Sequence, residues 1–95
     1  MRRAARLDAN QAEIVSALRM IGASVYDTSA VGRGFPDLVV GFRGRTLLIE
    51  CKDGAKRPSA RKLTPEQVEF QVGWRGHWAV AISADDAVAI AMSQP

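Results

Sequence analysis

Three ionisable residues that could carry out chemistry lie in an otherwise apolar stretch of the chain: Asp37, Glu50 and Lys52. Asp37 begins the run DLVVGF and Glu50 lies near the end of the run RTLLIECK, and both runs have the composition of β-strands. If these strands form a hairpin centred between Arg43 and Gly44, Asp37 pairs with Glu50 and both side chains point to one face of the sheet. Lys52 shares that face because side chains alternate along a strand.

This arrangement of charges suits a divalent cation. Two carboxylates whose Cβ atoms are roughly 5 Å apart repel each other unless a cation lies between them. Oxygen ligands favour Mg²⁺ or Mn²⁺, and the backbone carbonyl of Cys51 is a further candidate ligand. A nearby lysine can orient a metal-bound water or stabilise charge on a phosphate. A structural salt bridge from Lys52 to either acid fits the spacing equally well, and both interpretations stay open at this point.

The rest of the chain predicts the elements that would position these residues. The expected order is α–β–β–β–α–β–α, an α/β domain in which helices flank a mixed sheet. The first helix begins near Asp8 or Asn10 and ends at Gly22, and a later helix runs from its N-cap Thr64 to Gly76, with Val68 and Val72 as its apolar side. The predicted strands cover residues 23–27, 37–42, 45–52 and 77–83, and a last helix starts at its cap Ser83. The Arg-Gly dipeptide leaves either a two-residue or a four-residue hairpin loop open.

Composition excludes several classes of protein. The 95 residues fit one small domain, and 47% apolar with 24% charged residues is ordinary for a globular protein. No apolar run approaches the roughly 20 residues of a membrane span, and no apolar stretch follows the basic start, so we expect no membrane association and no secretory signal. The expected location is the cytoplasm of a bacterium or of a phage-infected host cell. The single cysteine, Cys51, predicts a small buried residue, and the absence of a phosphate-binding loop or dinucleotide fingerprint predicts no nucleotide cofactor.

The acids and the lysine also carry a resemblance to a known family. Pro36-Asp37 and Glu50-Cys51-Lys52 resemble the P-D…(D/E)-x-K signature of the restriction-endonuclease-like superfamily. The segments GFPDLVVGF, LLIECKDG and LTPEQVEF are similar to stand-alone members of its VRR-NUC (virus-type replication-repair nuclease) branch. The similarity extends from about Asn10 to Ser83, so that residues 1–95 are expected to form a single nuclease domain with a restriction-endonuclease-like core.

The resemblance implies an endonuclease that hydrolyses phosphodiester bonds of DNA with Mg²⁺ or Mn²⁺. It implies that Asp37 and Glu50 ligate the metal and that Lys52 positions the attacking water. Stand-alone members of this branch resemble homodimeric, structure-selective enzymes that act on branched DNA such as Holliday junctions, so a homodimer and a branched substrate are expected. The alternative is a non-catalytic DNA-binding module with the same fold, which the intact set of acids disfavours.

Two helix residues match further positions of the family. Glu13 matches the glutamate of the first helix that completes the metal site, although Gln11 takes this place if the register shifts. Gln67 matches a glutamine that contacts the water shell of the metal or the DNA backbone. Gln67 also fits a capping box with Thr64, and both roles are open.

Positive charge is concentrated in two segments, which raises the net charge to +3. One is a basic N-terminal tail, residues 1–8, and the other is a basic loop, residues 53–62, directly after Lys52. Cations at these places can neutralise phosphates without reading the base sequence. The simpler explanation of the charge in residues 53–62 is a solvated surface loop. The predicted DNA contacts are Arg33, Lys56, Arg57, Arg61, Lys62, Arg2 and Arg3.

Overall fold

A computed structural model of the protein describes residues 9–94, which form an α/β fold with a four-stranded mixed sheet. The elements are α1 (Gln11–Met20), β1 (Ser24–Asp27), β2 (Leu38–Phe42), β3 (Arg45–Cys51), a short 3-10 helix (Pro58–Arg61), α2 (Pro65–Gly73), β4 (His77–Ala81) and α3 (Ala84–Ser93). The α/β class and the predicted order of helices and strands are confirmed, and the 3-10 helix adds a turn to the basic loop. None of the helices within the described range is long and apolar enough to cross a bilayer.

The strands lie in the order β1-β2-β3-β4, with antiparallel pairing up to β3 and parallel pairing between β3 and β4. Phe42 pairs with Arg45, so the hairpin loop has two residues, the shorter of the two predicted lengths. Arg43 and Gly44 both have positive φ, 54° and 79°, as the tight turn of a two-residue hairpin requires. The parallel β3–β4 pair is connected through α2, because parallel neighbours need a crossover rather than a tight turn.

The hydrophobic core lies between one face of the sheet and the helices α1 and α3. Alternation along β3 points Leu47, Ile49 and Cys51 into this core, and Cys51 is fully buried, as predicted. Ile14 and Leu18 of α1 are also fully buried, which stabilises the fold by about 2 kcal/mol per side chain. This packing holds β2 and β3 in register beneath the ionisable residues on the other face.

Helix α2 lies on the opposite face of the sheet and contains no buried residue. It begins as predicted, with a complete capping box between Thr64 and Gln67. Its aromatic contacts come from Phe70, whose ring centroid is 5.3 Å from that of Phe35 and 5.4 Å from that of Trp74. The helix is therefore held by specific side-chain contacts rather than by core burial.

The predicted end of α2 is wrong. The helix ends at Gly73 rather than at Gly76, because glycine is a poor helix former and Trp74 turns back to stack on Phe70. Val68 and Val72, the apolar side of the helix, are 43% and 77% exposed. The strands begin and end within one or two residues of the predicted bounds.

Candidate active site

Asp37 and Glu50 lie at the same end of the β2–β3 hairpin. Leu38 pairs with Ile49, so the next step of the ladder places Asp37 opposite Glu50, as the sequence predicts. The N–H of Cys51 donates a hydrogen bond of 2.8 Å to Asp37 Oδ2, which holds this carboxylate against the end of β3. Glu50 is 3% exposed, so its carboxylate needs polar partners within the fold.

The carbonyl of Cys51 points to the same side as Asp37. The N–H of Lys52 donates to the carbonyl of Ala81 on β4 (3.0 Å), and the peptide bond between Cys51 and Lys52 is trans. In a trans peptide the C=O and the following N–H point in opposite directions, so the Cys51 oxygen faces away from β4 and toward β2. Two carboxylates and one backbone carbonyl therefore lie at this end of the sheet.

The amide of Gln67 joins Glu50 to Lys52. Gln67 Nε2 donates to Glu50 Oε2 (2.8 Å), while its Oε1 accepts from Lys52 Nζ (2.9 Å). The same Oε1 accepts from the backbone N–H of Thr64 (2.8 Å), which completes the capping box. The capping-box role predicted for Gln67 is confirmed, and the same amide also orients both charged groups. Its contact with the water shell of a metal or with DNA stays a prediction.

Asn10 anchors the backbone beside this cluster, a contact that the sequence did not indicate. Its Nδ2 donates to the carbonyls of Lys52 (3.1 Å) and Ile82 (3.0 Å). Asn10 occupies the N-cap position of α1 as predicted, but its side chain makes no capping hydrogen bond. The side chain instead ties the start of α1 to the ends of β3 and β4, which are 42 and 72 residues further along the chain.

Of the two candidates on α1, Gln11 is buried and Glu13 is exposed. Gln11 is 4% exposed, and its Nε2 donates to Asp27 Oδ2 (3.3 Å). Hydrogen bonds from the hydroxyl and then the backbone N–H of Ser29, with a smaller contribution from Gln11, lower the pKa of Asp27 below its ordinary value of 3.8. Gln11 therefore belongs to a polar group at the end of β1.

Glu13 lines a shallow pocket with Asp53 and Gly54 at the start of the basic loop. Within residues 9–94, no group of three or more Asp, Glu, His or Cys side chains is placed to hold a metal ion. The structure therefore brings Asp37, Glu50, Lys52 and Gln67 together and does not add Glu13 to them.

The predicted DNA-contact residues within the described range lie on the surface. Arg33, Lys56, Arg57 and Lys62 are exposed, and Arg61 is partly buried because its Nε donates to the carbonyl of Lys56 (3.0 Å). The 3-10 turn of the basic loop is itself closed by the backbone N–H of Ala60, which donates to the carbonyl of Arg57 (2.9 Å). Arg2 and Arg3 lie outside the described residues.

The oxygen atoms at this end of the sheet fit Mg²⁺ or Mn²⁺. These cations accept carboxylate and carbonyl oxygens and retain several waters, so they do not need a third acidic side chain. One oxygen of Asp37 accepts from Cys51, and its Oδ1 makes no hydrogen bond to the rest of residues 9–94. The donor set is small, but its chemistry suits a hard divalent cation.

Fold and site together define an α/β domain whose central hairpin presents two carboxylates and a lysine at one end of a mixed sheet. Comparison of the chain with family models, with curated proteins and with solved structures finds no match. The function must therefore be argued from the site itself.

Proposed function

We propose that the protein is a metal-dependent endonuclease that hydrolyses phosphodiester bonds of DNA. The observation that carries this proposal is the cluster at the end of the β2–β3 hairpin. There Asp37 lies opposite Glu50, and the Gln67 amide connects Glu50 to Lys52. A buried carboxylate that is joined through Gln67 to an ammonium group, with a second carboxylate opposite it on the neighbouring strand, matches the chemistry of phosphodiester hydrolysis better than it matches a stabilising ion pair.

The residues have distinct roles in this proposal. Asp37, Glu50 and the carbonyl of Cys51 would hold Mg²⁺ or Mn²⁺, which supplies Lewis-acid polarisation of the phosphate and a lower pKa for bound water. Lys52 presents its ammonium to the phosphate or to the attacking water and stabilises the negative charge that develops on the phosphate oxygens. Gln67 restrains Glu50 and Lys52 relative to each other, which reduces the reorganisation needed during the reaction.

The substrate and the oligomeric state follow from the family resemblance and from the surface charge. Branched DNA of the Holliday-junction type is the proposed substrate, and a homodimer would place two sites for paired cuts. The exposed cations of the basic loop supply sequence-independent contacts to the DNA backbone. No nucleotide cofactor is required by these roles.

The test is incubation of the pure protein with labelled four-way junctions, flaps and linear duplex across a series of Mg²⁺ and Mn²⁺ concentrations. Asp37→Ala is expected to abolish cleavage and Lys52→Ala to reduce it at least about 100-fold. Glu69→Ala, which removes an exposed carboxylate from α2, is the matched control and should cleave as wild type does. Identical cleavage products from wild type and Asp37→Ala would show that the assignment is wrong.

The second candidate function is a non-catalytic DNA-binding module. One observation favours it: in the described part of the chain, no third acidic side chain joins Asp37 and Glu50. Such a module would bind junctions equally well with Mg²⁺ or EDTA and would leave every labelled substrate intact. The same series of substrates and metals therefore separates the two functions.

A further inference from the structure

The loop before Asp37 contains a left-handed turn with an arginine at its centre. Gly32, Arg33 and Gly34 all have positive φ, at 78°, 57° and 79°. The N–H of Phe35 closes the turn with a hydrogen bond of 3.0 Å to the carbonyl of Gly32. Glycine adopts this conformation without strain, whereas an L-residue with a long side chain does so at a cost in free energy.

The turn is seated on the first turn of α2. A Cβ atom on Gly34 would lie 2.2 Å from the carbonyl oxygen of Glu66 and 2.9 Å from the backbone nitrogen of Gln67. Only glycine permits this approach of the two backbones. Because the side chain of Gln67 connects Glu50 to Lys52, the turn is held in a fixed relation to the candidate active site. Arg33 is one residue from this contact, about 3.8 Å along the chain.

Arg43 is a second arginine with positive φ, and unlike Arg33 its side chain has a partner within the fold. Within residues 9–94, Arg33 and Arg43 are the two non-glycine residues with positive φ. Arg43 lies in the hairpin loop, at the far end of β2 and β3 from Asp37, and its guanidinium stacks on the ring of Phe42 at 4.8 Å. Arg33 is exposed, and its guanidinium makes no hydrogen bond or ion pair to any other residue in the described range.

A strained backbone that presents an arginine without an internal partner indicates an external anionic ligand. Strain of this kind is retained where function requires a particular geometry. A guanidinium donates paired hydrogen bonds to a phosphate, and Arg33 precedes the Asp37 carboxylate by four residues. We propose that the Gly32–Gly34 turn fixes Arg33 as a contact to a DNA backbone phosphate beside the Asp37–Glu50 site. This inference rests on the proposed function for the identity of the polyanion.

The experiment compares Arg33→Asn with Arg43→Asn. Each variant removes one positive charge, and asparagine tolerates positive φ, so the turn geometry is kept in both. Binding to a four-way junction and to linear duplex is measured in EDTA over a range of salt concentrations, so that no cleavage is needed. Thermal unfolding of both variants is recorded alongside.

Arg33→Asn is expected to bind DNA about tenfold more weakly, the loss of roughly one charge-assisted hydrogen bond. The slope of log K against log salt on duplex should fall in magnitude by about 0.9, as for one lost phosphate contact. Its Tm should stay equal to that of wild type or rise by a few degrees, because strain is relieved. Arg43→Asn should bind as wild type does.

Three results would overturn the inference: equal salt slopes for the two variants, a Tm of Arg33→Asn below that of wild type, or no DNA binding by wild type. The proposed function fails by a different result. Weak binding by Arg33→Asn together with no cleavage by wild type would retain the phosphate contact and reject the nuclease. Normal binding by Arg33→Asn together with Asp37-dependent cleavage would retain the nuclease and reject the phosphate contact.

Discussion

The hydrogen bond between Gln67 and Glu50 offers a quantitative test of the site without any metal or DNA. Gln67 Nε2 lies 2.8 Å from Glu50 Oε2, and Glu50 is 3% exposed. Water cannot readily replace the amide at a carboxylate so well buried. We therefore expect the stabilities of Gln67→Ala and Glu50→Ala to be coupled in a double-mutant cycle.

The magnitude follows from the partners of the amide. A hydrogen bond to a buried charged group contributes about 1.5–3 kcal/mol, so the expected coupling free energy is about 2 kcal/mol. Lys52 is only partly buried, and water can replace its hydrogen bond to Gln67, so loss of this bond adds little to the cost of Gln67→Ala. Loss of the bond from the Thr64 N–H adds up to about 1 kcal/mol. Gln67→Ala alone should then cost about 3 kcal/mol and lower Tm by roughly 12–24 °C.

The assay is urea unfolding of the four proteins of the cycle in EDTA. The double variant should be more stable than the sum of the two single effects predicts, by about 2 kcal/mol. A second cycle that pairs Gln67→Ala with Glu69→Ala is the control, because Glu69 is an exposed carboxylate on the same helix. That cycle should be additive within about 0.5 kcal/mol. Additivity in both cycles would refute the Gln67–Glu50 contact and the role assigned to Gln67.

Three further predictions concern the surroundings of the site. Gly32→Ala should lower the free energy of unfolding in urea by about 1 kcal/mol, because only its positive φ opposes a side chain. Gly34→Ala should lower it by at least about 3 kcal/mol, because the added Cβ overlaps the start of α2. The lowered pKa of Asp27 means that its carboxylate stabilises the fold above about pH 4, and this contribution is lost as the pH falls through the lowered pKa; Asp27→Asn should therefore flatten the acid side of a stability–pH profile. In calorimetry with Mn²⁺, Asp37→Asn should abolish the heat of binding, whereas Glu13→Gln should keep the affinity within about twofold, since its carboxylate is exposed and outside the cluster.

Each of these predictions has an outcome that contradicts it. Equal costs for the two glycine variants would mean that the loop does not rest on α2. If Asp27→Asn leaves the acid side of the stability–pH profile unchanged, the hydrogen bonds from Ser29 do not lower the pKa of Asp27. A large loss of Mn²⁺ affinity in Glu13→Gln would restore this glutamate to the metal site that the family resemblance implies.

Features encoded within a few residues were predicted well. The pairing of Asp37 with Glu50 follows from strand alternation and from a tight turn at Gly44. The start of α2 follows from the capping box of Thr64 and Gln67. These features depend on local backbone preferences, which the residue types express directly.

Contacts between distant segments were not predictable in the same way. The hydrogen bonds of Asn10 span 42 and 72 residues, and nothing in its own neighbourhood distinguishes this role from capping. Gln11 and Glu13 lie on nearly opposite sides of α1, because they are two residues apart on a helix. The rotation of α1 about its axis over the sheet therefore decides which of the two is buried, and the structure buries Gln11.

The sequence by itself determined the α/β class, the hairpin register and the end of the sheet at which the acids and the lysine meet. Only the tertiary structure decided that an amide joins Glu50 to Lys52, that Glu13 stays in solvent, and that Gly34 seats a strained arginine turn on α2. The physical reason is that strand alternation and turn geometry act over a few residues. The position of a helix over a sheet is instead set by the packing of the whole core.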